Sequence, residues 1–426
     1  MPAPLASFRN HQFRWLYFGN LAFFFAMNGQ FVVRSYLAYD ITGSAFALGI
    51  VNFAVAIPML VVSPFGGVIA DRVERRALIM AGQSVLLVNE AAVLALLLAD
   101  ALEFWHLLAV AFLMGCVFPF IMPARQAIVV DIVGRRGLTN AMALQMGGMN
   151  AARVIAPALS GFLIYAVDLN WTYAVAIALY AVALASMLRV SRSRAPRSAE
   201  RKTMLGDIAY GLRYVRDDPP VRVLMLFSIV PILLAMPFQS LLAVFAEDVW
   251  DVGALGLGIL NAAAGLGGLM GAIYVAFFGE TERKLAILMS TITLFGCCLF
   301  AFAISPWFIM GVAFVLFADI FAGIFQTINN SIVQVLIPDE IRGRVMSLMM
   351  MTFGLTPLGT VPISIVAEFL GAPFAIASAS VLLVLAGALF YAISRTLRDI
   401  DSYNSAALEA DRPGEGRSLD PAAAGA

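Results

Sequence analysis

The chain has 426 residues, of which 62% are hydrophobic and only 13% charged, and its 27 Lys and Arg are balanced by 27 Asp and Glu. Soluble domains carry about a quarter charged residues, so this composition, with a mean hydropathy of +0.90, excludes an ordinary soluble protein. The zero net charge removes any bulk electrostatic draw toward nucleic acid. Apolar runs of about 18 residues or more recur, the length that crosses a bilayer as helix, whereas barrel strands would alternate in short segments.

Taken in order, residues 1–14 form a polar tail carrying Arg9 and Arg14, followed by a first apolar run too long for a cleaved leader. Breaks such as Asp100 and Asp168 divide the next stretch into six predicted spans at about 15–38, 45–69, 77–99, 106–123, 139–165 and 171–191. Residues 192–221 are polar and Arg-rich, a linker able to form a short amphipathic helix on the membrane surface. Six more spans follow at about 222–246, 254–278, 285–303, 307–334, 345–369 and 373–396. The Gly, Pro and Ala-rich residues 398–426 are expected to be a disordered tail. The predicted fold is therefore all-α, with twelve transmembrane helices in two pseudo-symmetric bundles, residues 15–191 and 222–397.

Charge supports this count. All the Lys and Arg residues except Arg34 and Arg153 fall in, or at span ends beside, the amino-terminal tail, the loops after even-numbered spans, or the carboxyl tail. The positive-inside rule makes that side cytoplasmic, with both termini inside a bacterial-type inner membrane. An internal repeat agrees: a shift of about 204 residues sets Gly67 on Gly271, Ile128 on Ile332, Val129 on Val333 and Leu144 on Leu348. Such repeats build transporters and place the ligand between them. The three cysteines, Cys116, Cys297 and Cys298, fall within apolar runs and read as small buried hydrophobes.

The loop from Gly67 to Arg76, GVIADRVERR, puts a carboxylate and guanidinium groups where a helix leaves the bilayer. With Gly67, Asp71, Arg75 and Arg76 it resembles the G-x-x-x-D-x-x-G-R-[RK] signature of the major facilitator superfamily, with Glu74 in place of the second glycine. PDEIRGRVMS from Pro338, PARQA at 123–127 and the opening FRNHQFRWLYFGN resemble the efflux-type branch that includes siderophore and macrolide exporters. The resemblance implies a gate. Asp71 would face the partially positive amino terminus of span 11, an attraction of about 0.3–1 kcal/mol, with Arg125, Arg342 and Arg344 nearby and Arg75 and Arg76 free for lipid phosphates or Asp131. The second copy has Val275 where the repeat would place the Asp, so gating charge is expected to be asymmetric. In span 5, Pro157 and Gly161 of NAARVIAPALSGFL resemble a motif of drug and proton antiporters, and the small residues of GLGGLMGA in span 8 offer it a matching surface.

Ionisable groups inside spans are the sharper clue, since each costs about 2.5 kcal/mol or more near the bilayer centre and normally faces a cavity or a partner. Asp319 and Glu90 are the expected proton carriers, Asp319 first, because a carboxyl removed from water holds its proton more tightly. Arg153 is a counter-ion or binds an anionic substrate group. Asn28, Gln30 and Arg34 in span 1, Gln239 in span 7 and Gln326, Asn329 and Asn330 in span 10 are candidate cavity groups. No P-loop, metal cluster or nucleophile motif appears, so neither an enzyme nor a cofactor is expected. The expected function is proton-coupled antiport that exports an amphiphilic small molecule (drug, siderophore or metabolite) by alternating access, from a monomer whose partners are substrate, protons and lipid. A metabolite importer, a lysophospholipid flippase of the same fold, and a non-transporting receptor or scaffold are the alternatives.

Overall fold

The computed structural model describes residues 6–191, 204–278, 283–338, 341, 345, 348–349 and 351–410. Among them, eleven helices are long and apolar enough to cross a membrane: α1 (His11–Thr42), α2 (Ala45–Ser63, continuing to Arg72), α3 (Arg75–Leu98), α4 (Phe104–Gly134), α5 (Asn140–Ala166), α6 (Leu169–Leu188), α7 (Pro219–Val249), α8 (Gly253–Phe278), α9 (Lys284–Ala303), α10 (Phe308–Leu336) and α12 (Ala372–Ile393). A shorter apolar helix, α11 (Thr356–Leu370), completes twelve. Residues 346, 347 and 350 of the predicted span 11 lie outside the described residues.

Local chemistry sets the boundaries. Gly43 takes a left-handed φ of 60° at the end of α1, and Ser44 then caps α2 by accepting from Ala47 N. Asp168 caps α6 in the same way. Helix α4 runs on past the predicted end at 123 and breaks at Gly134 (φ 66°, ψ 176°). In α7 the regular helix stops at Leu234, resumes at Phe238 after Pro237, and ends in a π-turn over Phe245–Val249. The linker does hold a helix, Met204–Asp217.

The tail expectation needs correction. Arg395–Arg398 and Ile400–Ala410 are helical, and Leu397, Ile400 and Asn404 are buried. Asp401 accepts from Leu285 N at 2.9 Å, capping α9 from a distance in sequence, and Lys284 Nζ donates to Asn404 at 3.1 Å. These contacts supply the burial and charge pairing that composition alone does not reveal; residues 411–426 lie outside the described set. Cys297 is likewise exposed, not buried, while Cys116 and Cys298 are half-buried.

Helix α1 packs on the α4–α5 pair and on α6, α8 packs on α10, and α9 packs on α10 and α12. The first six and last six helices meet chiefly where α5 crosses α8 and α2 runs beside α11. Two of the pairs matched by the repeat are equally buried, Ile128 and Ile332 at 0% and Val129 and Val333 at 1% and 0%, whereas Leu144 is half-buried and Leu348 is buried. At the α5–α8 crossing the backbones touch. A Cβ on Gly161 would stand 2.4 Å from Ala254 O, and one on Gly258 would stand 2.7 Å from Pro157 O.

Four hydrogen bonds that join the two sets of six lie toward the end opposite the termini. Tyr39 donates to Asp248, Ser44 Oγ and Phe46 N donate to Glu368 at 2.8 and 3.0 Å, and Asn52 donates to Ser240 at 3.0 Å. That end is latched shut. The terminal end is instead tied within each set, as where Ser7 donates to Asn140 and Arg75 pairs with Asp131 at 2.7 Å.

Gly258→Val should lower stability by about 1–3 kcal/mol, since backbone on the facing helix cannot yield to the new side chain. Thermal melting in detergent reads this, with Gly147→Ala, whose methyl meets nothing within 4 Å, as the neutral control. Glu368→Ala removes two latch bonds and should raise alkylation of a cysteine placed at Asn52 by about threefold to tenfold; the native cysteines are replaced first.

Candidate functional site

Helix α8 is the thin wall on which the central charges are arranged. Its Gly267 and Gly271 lie against α10 so closely that a Cβ would stand 2.4 Å from Leu316 O and from Ile320 O, and Asp319 Cβ is 2.9 Å from the first of these positions. Asp319 is consequently buried at 4% exposure, and its Oδ2 atom has no hydrogen-bond partner in the protein. On the other side, Gly265 backs onto Arg153 O, and the Arg153 guanidinium lies 3.7 to 3.8 Å from the Cβ position of Gly268. Arg153 is exposed, and across α8 it and Asp319 form no direct ion pair. A carboxyl in this setting can hold or release a proton according to how near the guanidinium comes, which depends on how α5 and α10 sit about α8.

A second charge pair lies in the first six helices. Arg34 of α1 reaches Glu90 of α3, Nη2 to Oε1 at 3.3 Å, and its Nη1 donates to Met114 Sδ at 3.0 Å. Glu90 is 2% exposed and its Oε2 has no partner. The sequence reading treated Glu90 and Arg34 separately, because 56 residues divide them; the fold makes them one unit.

The remaining expected residues divide. Gln30 and Asn329 are buried with both amide atoms unpartnered, whereas Asn28 bonds back to Phe24 O at 2.8 Å. Gln326 donates to Asn330 at 3.3 Å along α10, and Gln239 is half-buried beside the break in α7. Pro157 and Gly161 stand at the α5–α8 crossing already described. Of the gate residues, the side chains of Gly67 and Asp71, and Arg342 and Arg344 altogether, lie outside the described residues. Arg76 donates to Leu188 O at 3.2 Å.

Arg125, expected beside Asp71, is buried at 3% exposure with its guanidinium 3.7 Å over the Phe23 ring and donating to Asn20. Its Nε and Nη2 have no partner. Sequence reasoning missed the latch residues Tyr39, Ser44, Asn52 and Ser240. Nothing local in the sequence pairs their partners Asp248 and Glu368 with residues about 200 to 320 positions away. Among the described residues no group of His, Cys, Asp or Glu could hold a metal ion.

The chain matches the transmembrane secretion effector family over residues 2–418. It is 27% identical to the multidrug efflux pump Tap of Mycolicibacterium fortuitum over 88% of this chain and 94% of that protein. It is 25% identical to the staphyloferrin A transporter of Staphylococcus aureus over 83% and 89%. In three dimensions it is similar to the nucleoside transporter NupG, with a TM-score of 0.72 at 13% identity over 90% of this chain and all of that one, which shows the fold alone. The chain belongs to the transmembrane secretion effector family and is a major facilitator transporter of the efflux type, not an enzyme.

Proposed function

We propose that this transporter exports amphiphilic small molecules from the cytoplasm in exchange for protons, by alternating access between domains 15–191 and 222–397. The observation that carries the coupling is Asp319: a buried carboxyl with an unpartnered oxygen, on the last six helices, facing the influence of Arg153 from the first six across the glycines of α8. Rocking of the domains changes that separation, and with it the proton affinity. Export, and a substrate with both apolar and polar parts, are supported by relatives whose names are a multidrug efflux pump, a staphyloferrin transporter and an enterobactin exporter.

The concentration of Lys and Arg near the terminal end supports an inner-membrane protein with both termini cytoplasmic, which we take to act as a monomer. The latched end then faces outward, so the described state is closed to the outside. We assign Gly67, Asp71, Arg75, Arg76, Arg125, Arg342 and Arg344 to the opposite, cytoplasmic gate.

Inverted vesicles with an imposed pH gradient test the coupling. Asp319→Asn should abolish gradient-driven flux of a compound that still raises the melting temperature of the purified variant. Unchanged coupled flux would remove Asp319 from the mechanism. Asp71→Asn should favour the cytoplasm-open state, read as faster labelling of cysteines near the terminal end, and an unaltered rate would remove Asp71 from the gate.

A further inference from the structure

The Arg34–Glu90 pair borders a space that proton transfer at Asp319 does not use. A cavity of about 160 Å³ opens between α1, α2, α4 and the start of α11. Its wall is mostly apolar, with Phe31, Val55, Met59 and Met114 prominent, and Arg34 is the charged group that lines it. A dry cavity of about 150 Å³ accommodates a benzene ring, so this one is the size of a single ring or an equivalent length of chain. It lies where the first six helices meet the last six, beside the Asn52–Ser240 bond.

Arg34 is under-occupied for a buried guanidinium. It can present five N–H donors in a planar fork suited to two carboxylate oxygens. The contacts seen are one 3.3 Å approach to Glu90 and one to a thioether sulfur, a weak acceptor. Glu90 does not line the cavity and holds Arg34 from behind, with one oxygen idle. A ligand oxyanion in the cavity would therefore reach better geometry on Arg34 than Glu90 has. The charge count then forces a second event. Arg34, Glu90 and an anionic ligand sum to one uncompensated negative charge in a buried site, which a carboxylate relieves by binding a proton. The other titratable groups facing Glu90 are the α6 phenols Tyr173 and Tyr180, with Arg125 beyond Tyr180; none of them supplies a second cation to Glu90.

We infer that this cavity is a subsite for a ring-sized apolar group bearing a carboxylate, which binds Arg34, displaces Glu90 and causes Glu90 to take up a proton from water. The ligand thereby enters the apolar wall with no net change in buried charge. Its role as cargo rests on the proposed transport reading, in which Asp319 carries the exchanged proton and the Glu90 proton only neutralises the ligand's charge in the site; its binding does not, because it is read on purified protein without any gradient.

Calorimetric titration of the detergent-purified protein with benzoate and with benzyl alcohol, in phosphate and in Tris at two pH values, tests this. Benzoate should bind at least about tenfold more tightly than the alcohol. Its affinity should rise as pH falls, approaching about tenfold per pH unit, with about one proton taken up per ligand. Glu90→Gln should retain benzoate binding but lose the buffer dependence, and Ala56→Phe, which fills the cavity, should abolish binding of both probes. Because Arg34→Gln alone strands Glu90, the double variant R34Q/E90Q is used to remove both charges; it should lose the preference for benzoate over benzyl alcohol. Equal binding of the two probes by the wild type, no binding of either, or a benzoate preference that survives in R34Q/E90Q would overturn the subsite, as would binding without proton uptake. Gradient-driven export that persists without benzoate binding refutes the subsite and leaves the exporter reading. Binding as expected in a protein that shows no gradient-driven flux does the reverse.

Discussion

Helix α8 nearly lacks side chains where it crosses its neighbours, and the arrangement of the centre depends on that. Glycine at 258 and 265 lets its backbone touch α5, and glycine at 267 and 271 lets it touch α10. In a bilayer, where lipid tails are as apolar as any side chain, helices associate through close van der Waals packing and not through a hydrophobic drive. Removing side chains from both faces of one helix lets two others pack on its backbone from either side. Arg153 and Asp319 thereby flank the same helix while belonging to different sets of six. A contact made of backbone also has few alternative packings, so relative movement of the two sets is a sliding or rocking of whole helices.

Buried charge is resolved in three different ways. Arg34 and Glu90 neutralise each other directly, though with a long single contact. Arg125 has no carboxylate and is held by the Phe23 ring and the Asn20 amide, a combination of cation–π attraction and hydrogen bonding. Asp319 has neither, and depends on a guanidinium it does not touch. A fully paired charge is costly to disturb and an unpaired one is responsive, so the degree of pairing separates groups that hold the bundle from groups able to change state during transport.

The two ends differ in kind. Opposite the termini, direct hydrogen bonds cross from one set of helices to the other, several of them to the carboxylates Asp248 and Glu368. At the terminal end the described polar contacts stay within a set and tie the amino-terminal segment to α5 and the carboxyl-terminal helices to α9. These ties stiffen each set as a unit.

Span number, the two sets of six, the family and the intramembrane charges were all legible in the sequence, because the bilayer imposes a length and an apolar composition on each helix and makes every charge conspicuous. The small-residue faces of α5 and α8 were legible as sequence motifs. Pairing was not. That Arg34 meets Glu90, that Arg125 turns to Phe23, and that Tyr39 and Ser44 latch onto Asp248 and Glu368 are decided by helix rotation and crossing, which side chains far apart in the chain settle together. The helical tail from Arg395 to Ala410 was hidden because its composition is that of a disordered segment, and only the exposed start of α9 gives Asp401 and Asn404 something to bind. The sequence by itself determined that this chain spans a membrane as a two-part helical transporter, since hydrophobic length is a local property. Which charges face one another, and which end is closed, only the tertiary structure decided, since those depend on contacts between residues that the sequence keeps tens to hundreds of positions apart.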